Sequence, residues 1–286
     1  MRILVTGANG QVGRSILDLN GQDGHKIIGL TSQQFDLTTP EKFDRIVDQV
    51  EPDAIVNAAA YTAVDRAEDE RELALQVNAI APGVMSSIAA KSGLPFIQIS
   101  TDYVFEGSKG EPYTERDRTG PVNVYGETKL AGELAVLDDH PGATVLRTSW
   151  VFSKYGSNFV KTISRALIGA KPIQVVDDQL GCPTSADSVA RTCVSVLEAR
   201  LLPGIYHFAG SQTTSWFEFA CLVEKQLGTR EASKIERCRS DRYASRAARP
   251  ANTVLDCAKI MGELGLPRTD LSVQISNAMH CFEATS

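Results

Sequence analysis

This sequence has almost nothing arranged to hold a metal ion. Its six cysteines (Cys182, Cys193, Cys221, Cys238, Cys257 and Cys281) form no CxxC pair, and its four histidines (His25, His140, His207 and His280) show no HxxxH or HExxH spacing. A zinc site therefore lacks a ligand pattern, and no metal is expected. Scattered thiols of this kind fit reduced side chains in or near a core and a cytoplasmic setting. Cys193 follows Val189 by four residues and precedes Val196 and Leu197, a helical core pattern. Long apolar runs are also missing. Met1 to Val5 is too short for a signal-peptide core and leads straight into a glycine loop, and other apolar stretches fall below a membrane span, so no membrane partner is expected. Nor is there an excess of positive charge. The 29 Lys and Arg face 35 Asp and Glu, a net charge of -6. A nucleic-acid partner usually demands a basic face, so none is expected. Gly (22) and Pro (12) are at ordinary levels, which excludes collagen-like and disordered chains, and there is no internal repeat.

What remains is a globular chain, 43% hydrophobic and 22% charged, long enough for one large domain or two lobes. Strand-like and helix-like segments alternate through the first half. Ile3–Val5, Lys26–Leu30, Ala54–Asn57, Phe96–Ser100 and Thr144–Arg147 read as strands, each nearly all apolar. Helical patterns follow Gln11 and cover Glu41–Val50, Arg71–Lys91 and Val124–Leu137. Buried strands separated by helices predict an α/β fold with a doubly wound parallel sheet covered on both faces. The dinucleotide-binding domain is expected over 1–150, with later strands near 173–208 returning to it. There, Ile173–Val176, Ala186–Glu198 and Gly204–Phe208 read as strand, helix and strand, and Ser215–Leu227 as a further helix. The remainder, 151–286, is expected to contribute a smaller substrate-binding lobe.

Gly7, Gly10 and Gly13 stand in GxxGxxG spacing directly after the first strand and open the first helix. Glycines there permit a tight turn and let the backbone approach a pyrophosphate, next to the free N–H groups of a helix start. This context predicts a dinucleotide cofactor. An acid at the end of the second strand would bind a ribose 2′-hydroxyl and repel a 2′-phosphate. Here Leu30-Thr31-Ser32-Gln33 carries no acid and no arginine, so both NADPH and NADH are admissible.

Tyr125 and Lys129 form a YxxxK pair on a predicted helix, where residues four apart share a face. Reducing a ketone needs a hydride donor and a proton donor on one carbonyl. A lysine charge beside the phenol would favour the phenolate and lower its pKa, and could also hold the nicotinamide ribose. The fourth strand ends in Ile99-Ser100-Thr101-Asp102, which offers a hydroxyl from a strand's C-terminal end. Small alanines after the third strand, Ala58-Ala59-Ala60, let the chain pass closely along a cofactor. Trp150 follows the fifth strand, at the edge where α/β folds place ligands, and is expected in a sugar pocket.

Several segments together carry a family likeness: VTGANGQVG (5–13), PDAIVNAAAYTAVDRAE (52–68), ISTDYVFEG (99–107), NVYGETKLAGE (123–133), LRTSWVF (146–152), VVDDQLGCPTSA (175–186), GIYHFAG (204–210), TSWFEFA (214–220) and ARPAN (248–252). In these the chain resembles the dTDP-4-dehydrorhamnose reductases, extended short-chain dehydrogenases/reductases. The resemblance implies NAD(P)H-dependent reduction of the C4 keto group of dTDP-4-dehydro-6-deoxy-L-mannose to dTDP-L-rhamnose. It implies Tyr125 as proton donor, Lys129 as its partner and Thr101 as an assisting hydroxyl. Asp102 and Trp150 would touch the sugar, while Gly10, Gln11, Val12, Asp36, Leu37, Ala60, Tyr61 and Thr62 would line the cofactor. Members of the family can bridge subunits through a metal on acidic side chains. One of those positions is Ser15 here, which argues against that metal, while a homodimer stays open. Arg249 ends a stretch from Arg230 with seven basic and three acidic residues, readable either as a diphosphate site or as a solvated loop. Another nucleotide-deoxysugar ketoreductase, an epimerase and a non-catalytic dinucleotide-binding subunit share the same frame.

Overall fold

A computed structural model of the chain describes residues 1–169, 172–199, 203–228, 235–242, 245–267 and 269–279. His280, Cys281, Arg230 and Lys234 lie outside the described residues. The core is a six-stranded sheet, parallel throughout. Its first five strands in the chain are β1 (Arg2–Thr6), β2 (Lys26–Leu30), β3 (Ala54–Asn57), β4 (Phe96–Thr101) and β5 (Thr144–Thr148). In space the order is Gly204–His207, β5, β4, β3, β1, β2. The chain thus steps from β1 outward to β2, then crosses back to β3 on the other side. That reversal opens a crevice at the carboxyl ends of β1 and β3, the place where open α/β sheets take ligands.

Alternation along each strand feeds two separate cores. Ile3 and Val5 of β1 pack with Val12, Ile16, Val189 and Cys193 on one face, whereas Leu4 packs with Phe43, Val47, Met85 and Val136 on the other. The helices Gln11–Leu17 and Ala186–Ala199 cover the first face. Phe43–Val50, Ala81–Lys91 and Val124–Asp139 supply the second. A strand buried on both faces has no polar side, which is why these segments read as unbroken apolar runs.

Arg71–Lys91 forms as a 21-residue helix with a window of mean hydropathy 1.4, enough by length and composition alone to cross a membrane. That exceeds the reading that every apolar stretch falls short. Packing gives the physical reason for its apolarity: Ala74, Ala79, Met85, Ile88 and Ala89 are buried within the fold. A π turn at Gln76–Ile80 interrupts the helix.

The second correction concerns the returning strands. Gly204–His207 does join the central sheet, parallel to β5. Ile173–Val176 instead pairs in parallel with Ile235–Cys238 in a separate two-stranded sheet. Apolar alternation shows that a segment is a strand but carries no information on its partner. This small sheet packs into a third core of Phe152, Val160, Ile163, Val175, Phe219, Val223, Ile235, Leu271 and Ile275.

Candidate active site

At the carboxyl edge of the sheet lies a cleft of about 760 Å³. Its lining includes Gly7, Gly10, Gln11, Val12, Thr31, Asp36, Leu37, Ala60, Tyr61, Thr62, Thr101, Asp102, Tyr125, Lys129 and Trp150. These come from the loops after β1 to β5 and from the helix Val124–Asp139. Gly13 is the exception among the residues expected there. A Cβ on Gly13 would sit 2.2 Å from the Gly7 carbonyl oxygen, so it serves the packing of helix on loop, not the lining. Gly7 has φ +72°, and a Cβ there would meet Ala59 N at 2.6 Å. The glycine loop and the alanine loop therefore touch along their backbones, leaving a groove that only small residues permit.

Gln11 is committed elsewhere. Its amide oxygen accepts from Ser153 Oγ at 3.0 Å and from Asn158 Nδ2 at 2.9 Å, tying the glycine loop to the chain beyond β5. Asp36 accepts from the Thr38 backbone N–H, which holds its carboxyl below the usual carboxylate range. Thr31 donates both its N–H and its hydroxyl to Gln34 Oε1, at 3.0 Å each. No carboxylate stands at the end of β2.

The helix Val124–Asp139 starts at Asn123, whose side chain accepts from the Gly126 N–H at 2.8 Å. It must lie close to its neighbours, because a Cβ on Gly126 would be 2.2 Å from the Tyr103 carbonyl oxygen and one on Gly132 2.0 Å from that of Asn78. The π turn aims Asn78 inward. Its amide bonds both the N–H and the carbonyl of Tyr61 and also donates to Thr128 Oγ1 at 3.1 Å. One buried side chain thus links the cofactor-side loop to the tyrosine-bearing helix. Asn78 gave no signal in the sequence beyond its place in an apolar helix.

Burial sets the chemistry of Tyr125. It pushes the phenol up to about 12, with a hydrogen bond from Thr101 pulling downward and the Asp102 charge pushing further up. Lys129 is 3% exposed and brought down to about 8 by burial, against the pull of the Glu133 carboxylate. Its Nζ donates to the Ile99 carbonyl at 2.7 Å. The expectation that the ammonium lowers the phenol's pKa is thus not met: burial, Thr101 and Asp102 govern it, and the phenol keeps its proton at neutral pH. Asp102 is 2% exposed, and burial raises it to about 7 while the Thr253 and Thr101 hydroxyls oppose the shift. Its Oδ2 has no hydrogen-bond partner among the described residues, and the same holds for Thr148 Oγ1, another lining group.

Beneath this floor runs a buried ion pair. Arg147 donates to both oxygens of Glu133, at 2.9 and 2.7 Å, with side chains 2% and 1% exposed. Ser100 donates to Glu133 at 2.5 Å, and His207 contacts Arg147 at 3.3 Å and the Tyr113 carbonyl at 3.0 Å. Burial and the Arg147 charge bring His207 down to about 3, so it is neutral: Nδ1–H donates to Tyr113 and Nε2 accepts from Arg147.

Trp150 lines the cleft from a left-handed backbone, φ +46°, a conformation that costs a bulky residue on the order of 1–3 kcal/mol. The basic stretch before Arg249 is locally neutralised where it is described. Arg249 pairs with Asp65, Arg246 with Asp69 and Arg237 with Asp177. Ser15, the departure noted in the sequence, is buried and donates to Asp187 at 2.7 Å.

Known proteins share this fold and much of this sequence. A dTDP-4-dehydrorhamnose reductase from Sinorhizobium fredii is 41% identical over 274 residues, spanning 93% of this chain and 92% of its own. The crystal structure of a dTDP-4-dehydrorhamnose reductase from Clostridium acetobutylicum superposes with a TM-score of 0.92 at 33% identity, covering 99% of this chain and 100% of that one. The enzyme of the same name from Bacillus anthracis, solved in complex with NADP, gives a TM-score of 0.91 at 31% identity, with 99% of each chain covered. The family described as the RmlD substrate binding domain matches residues 1–283. Over nearly its whole length, the chain belongs to that family.

Proposed function

We propose that this protein is a dTDP-4-dehydrorhamnose reductase, which reduces the C4 ketone of dTDP-4-dehydro-6-deoxy-L-mannose with NAD(P)H to give dTDP-L-rhamnose. One observation carries the reading. A protonated phenol, a hydroxyl and an ammonium (Tyr125, Thr101 and Lys129) line the same cleft as the glycine loop, in a chain of this family.

The cleft fits a dinucleotide on steric grounds, since the Gly7–Ala59 contact leaves a groove that a side chain would fill. Gly7, Gly10, Val12 and Ala60 to Thr62 would hold the cofactor there. Thr31, Asp36 and Leu37 would border its adenosine end. With no carboxylate at the end of β2 to repel a 2′-phosphate, both NADPH and NADH are accommodated. The bound nicotinamide supplies the hydride.

The protein's own part is the proton. Tyr125, held in its neutral form by burial, donates it to the ketone oxygen as the hydride reaches carbon, so one C–H and one O–H bond form and the ketone becomes an alcohol. The Thr101 hydroxyl, which donates to Asp102 Oδ1 at 3.0 Å in this structure, would turn to the phenolate left behind. Lys129 keeps one N–H on Ile99 and would turn the rest of its ammonium toward the nicotinamide ribose. Asp102, with one oxygen unpartnered, accepts from a sugar hydroxyl, and Trp150 forms a wall for the ring. A cytoplasmic location accompanies this reading, since the cysteines are scattered along the sequence with no CxxC pair.

The test is to incubate the purified protein with dTDP-4-dehydrorhamnose and each reduced nicotinamide in turn. Stoichiometric oxidation of the nicotinamide with formation of dTDP-L-rhamnose is expected. An epimerised product with no net nicotinamide oxidation would make it an epimerase, and binding of the cofactor without turnover would make it a non-catalytic subunit.

A further inference from the structure

The chain has two tryptophans, and they stack on each other. The rings of Trp150 and Trp216 are 3.5 Å apart at 6°. The Trp150 indole also meets Gly181 so closely that a Cβ there would fall 2.4 Å from the ring. Trp150 lines the cleft, but Trp216 does not. The two surfaces that grip the indole are themselves joined. Thr214 pairs with Gly181 and Ser215 with Leu180 in a short antiparallel ladder, so the grip has a fixed width.

Trp216 is firmly seated. It is the first residue of the helix Trp216–Leu227, whose cap is reciprocal: Ser215 Oγ accepts from the Glu218 N–H and the Glu218 carboxylate accepts from the Ser215 N–H. Ser215 also donates to Asp177 at 2.7 Å. Phe159 packs against Trp216 at 4.7 Å, and its neighbour Asn158 donates to Gln11 of the glycine loop. Trp150 is held by its backbone as well, through its carbonyl to the Thr184 N–H at 3.2 Å. A left-handed tryptophan persists only where its surroundings over-determine it. Here the surroundings are a ladder, a capped helix and an aromatic stack.

We infer that Trp216 is a positioning residue: with Gly181 it clamps the Trp150 indole and so sets the wall against which the sugar nucleotide binds. This rests on the reading that Trp150 meets the sugar. Trp216 acts on substrate affinity and leaves hydride transfer and cofactor binding alone.

Since these are the chain's only tryptophans, its exciton-coupled circular dichroism reports on this stack alone. The experiment compares wild type with Trp216→Leu, Trp216→Phe and Gly181→Ala, using dTDP-4-dehydrorhamnose and NADPH as probes. Trp216→Leu should lose the exciton couplet and raise KM for the sugar nucleotide about fivefold or more, the range expected for one aromatic stack. Its kcat and NADPH Kd should stay within about twofold, since nothing near Tyr125 or the glycine loop changes. Trp216→Phe, which keeps a ring, should restore most of the affinity. Gly181→Ala drives a methyl into the indole and should raise the same KM, which keeps the test decisive if Trp216→Leu fails to fold. A sugar KM unchanged in the variants that lose the couplet would overturn the clamp, as would an equal loss of NADPH affinity. A wild-type protein that fails to turn over the nucleotide sugar would overturn the proposed reaction and the clamp with it, before any variant is compared.

Discussion

Replacing Tyr125 with phenylalanine separates two accounts of how this site handles a proton. The substitution removes one hydroxyl and keeps the ring, which packs edge-on against Tyr103 at 5.8 Å. Cofactor binding should therefore change little. Loss of a positioned general acid lowers the rate by about 10²- to 10⁴-fold, or roughly 3–5 kcal/mol of barrier. The pH profile adds the sharper test. Burial puts the phenol at about 12 and Lys129 at about 8. In the free enzyme the phenol stays protonated across the accessible range; Asp102 ionises at about 7, and above that the group that titrates is the ammonium, charged below about 8 and neutral above it. A fall in kcat/KM for NADPH above that point belongs to Lys129. It should persist at the same pH in the residual activity of Tyr125→Phe. The assay is NADPH oxidation across a pH series with wild type and variant. If the basic limb vanishes with the hydroxyl, the phenol was the titrating group and burial does not govern its pKa. Residual activity within tenfold of wild type would remove Tyr125 as the donor.

Three further outcomes follow from the same geometry. Arg147→Met strands the Glu133 carboxylate with Ser100 as its remaining side-chain donor and should cost about 3–5 kcal/mol, whereas Glu133→Leu combined with Arg147→Met should recover most of that; equal urea midpoints for single and double variants would refute the pairing. His207, held at about 3 when folded against an ordinary 6.5, binds its proton more readily in the unfolded chain, so its contribution to stability is present above 6.5 and lost as pH falls toward 3. Asp102, raised to about 7, has the opposite slope between its ordinary 3.8 and that value, so the comparison of wild type with His207→Asn, by urea midpoints along pH, isolates the histidine: the variant should show the shallower acid loss. Gly13→Ala drives a methyl into the Gly7 carbonyl and should weaken NADPH binding at least tenfold by calorimetry although Gly13 does not line the cleft, an outcome refuted by wild-type affinity in a folded variant.

Much of this architecture was readable in the sequence because it rests on local periodicity. β1 to β5 are short apolar runs between helical patterns, and such runs in an α/β chain have few stable arrangements, all with a covered parallel sheet. The glycine spacing, the Tyr125–Lys129 pair and the hydroxyl-bearing end of β4 likewise follow local chemistry. What the sequence hid depends on packing between distant segments. Ile173–Val176 declares itself a strand but not that Ile235–Cys238 is its partner. The π turn differs from a continuous helix by a single residue in the hydrogen-bonded ring, and no residue type marks it. Gly13 has the expected identity and a different task. The state of Tyr125 could not be read from a spacing, since it is decided by how tightly β4 and the helix Val124–Asp139 exclude water.

That exclusion shifts Tyr125 and Lys129 in opposite directions. A neutral phenol is desolvated more cheaply than a phenolate, so burial favours the protonated form of Tyr125. The same burial destabilises the Lys129 ammonium, and the Glu133 carboxylate one helical turn away offsets part of that loss. Arg147 and Ser100 donate to that carboxylate and hold it in place. The charge on Lys129 thus depends on an ion pair that never touches the cleft.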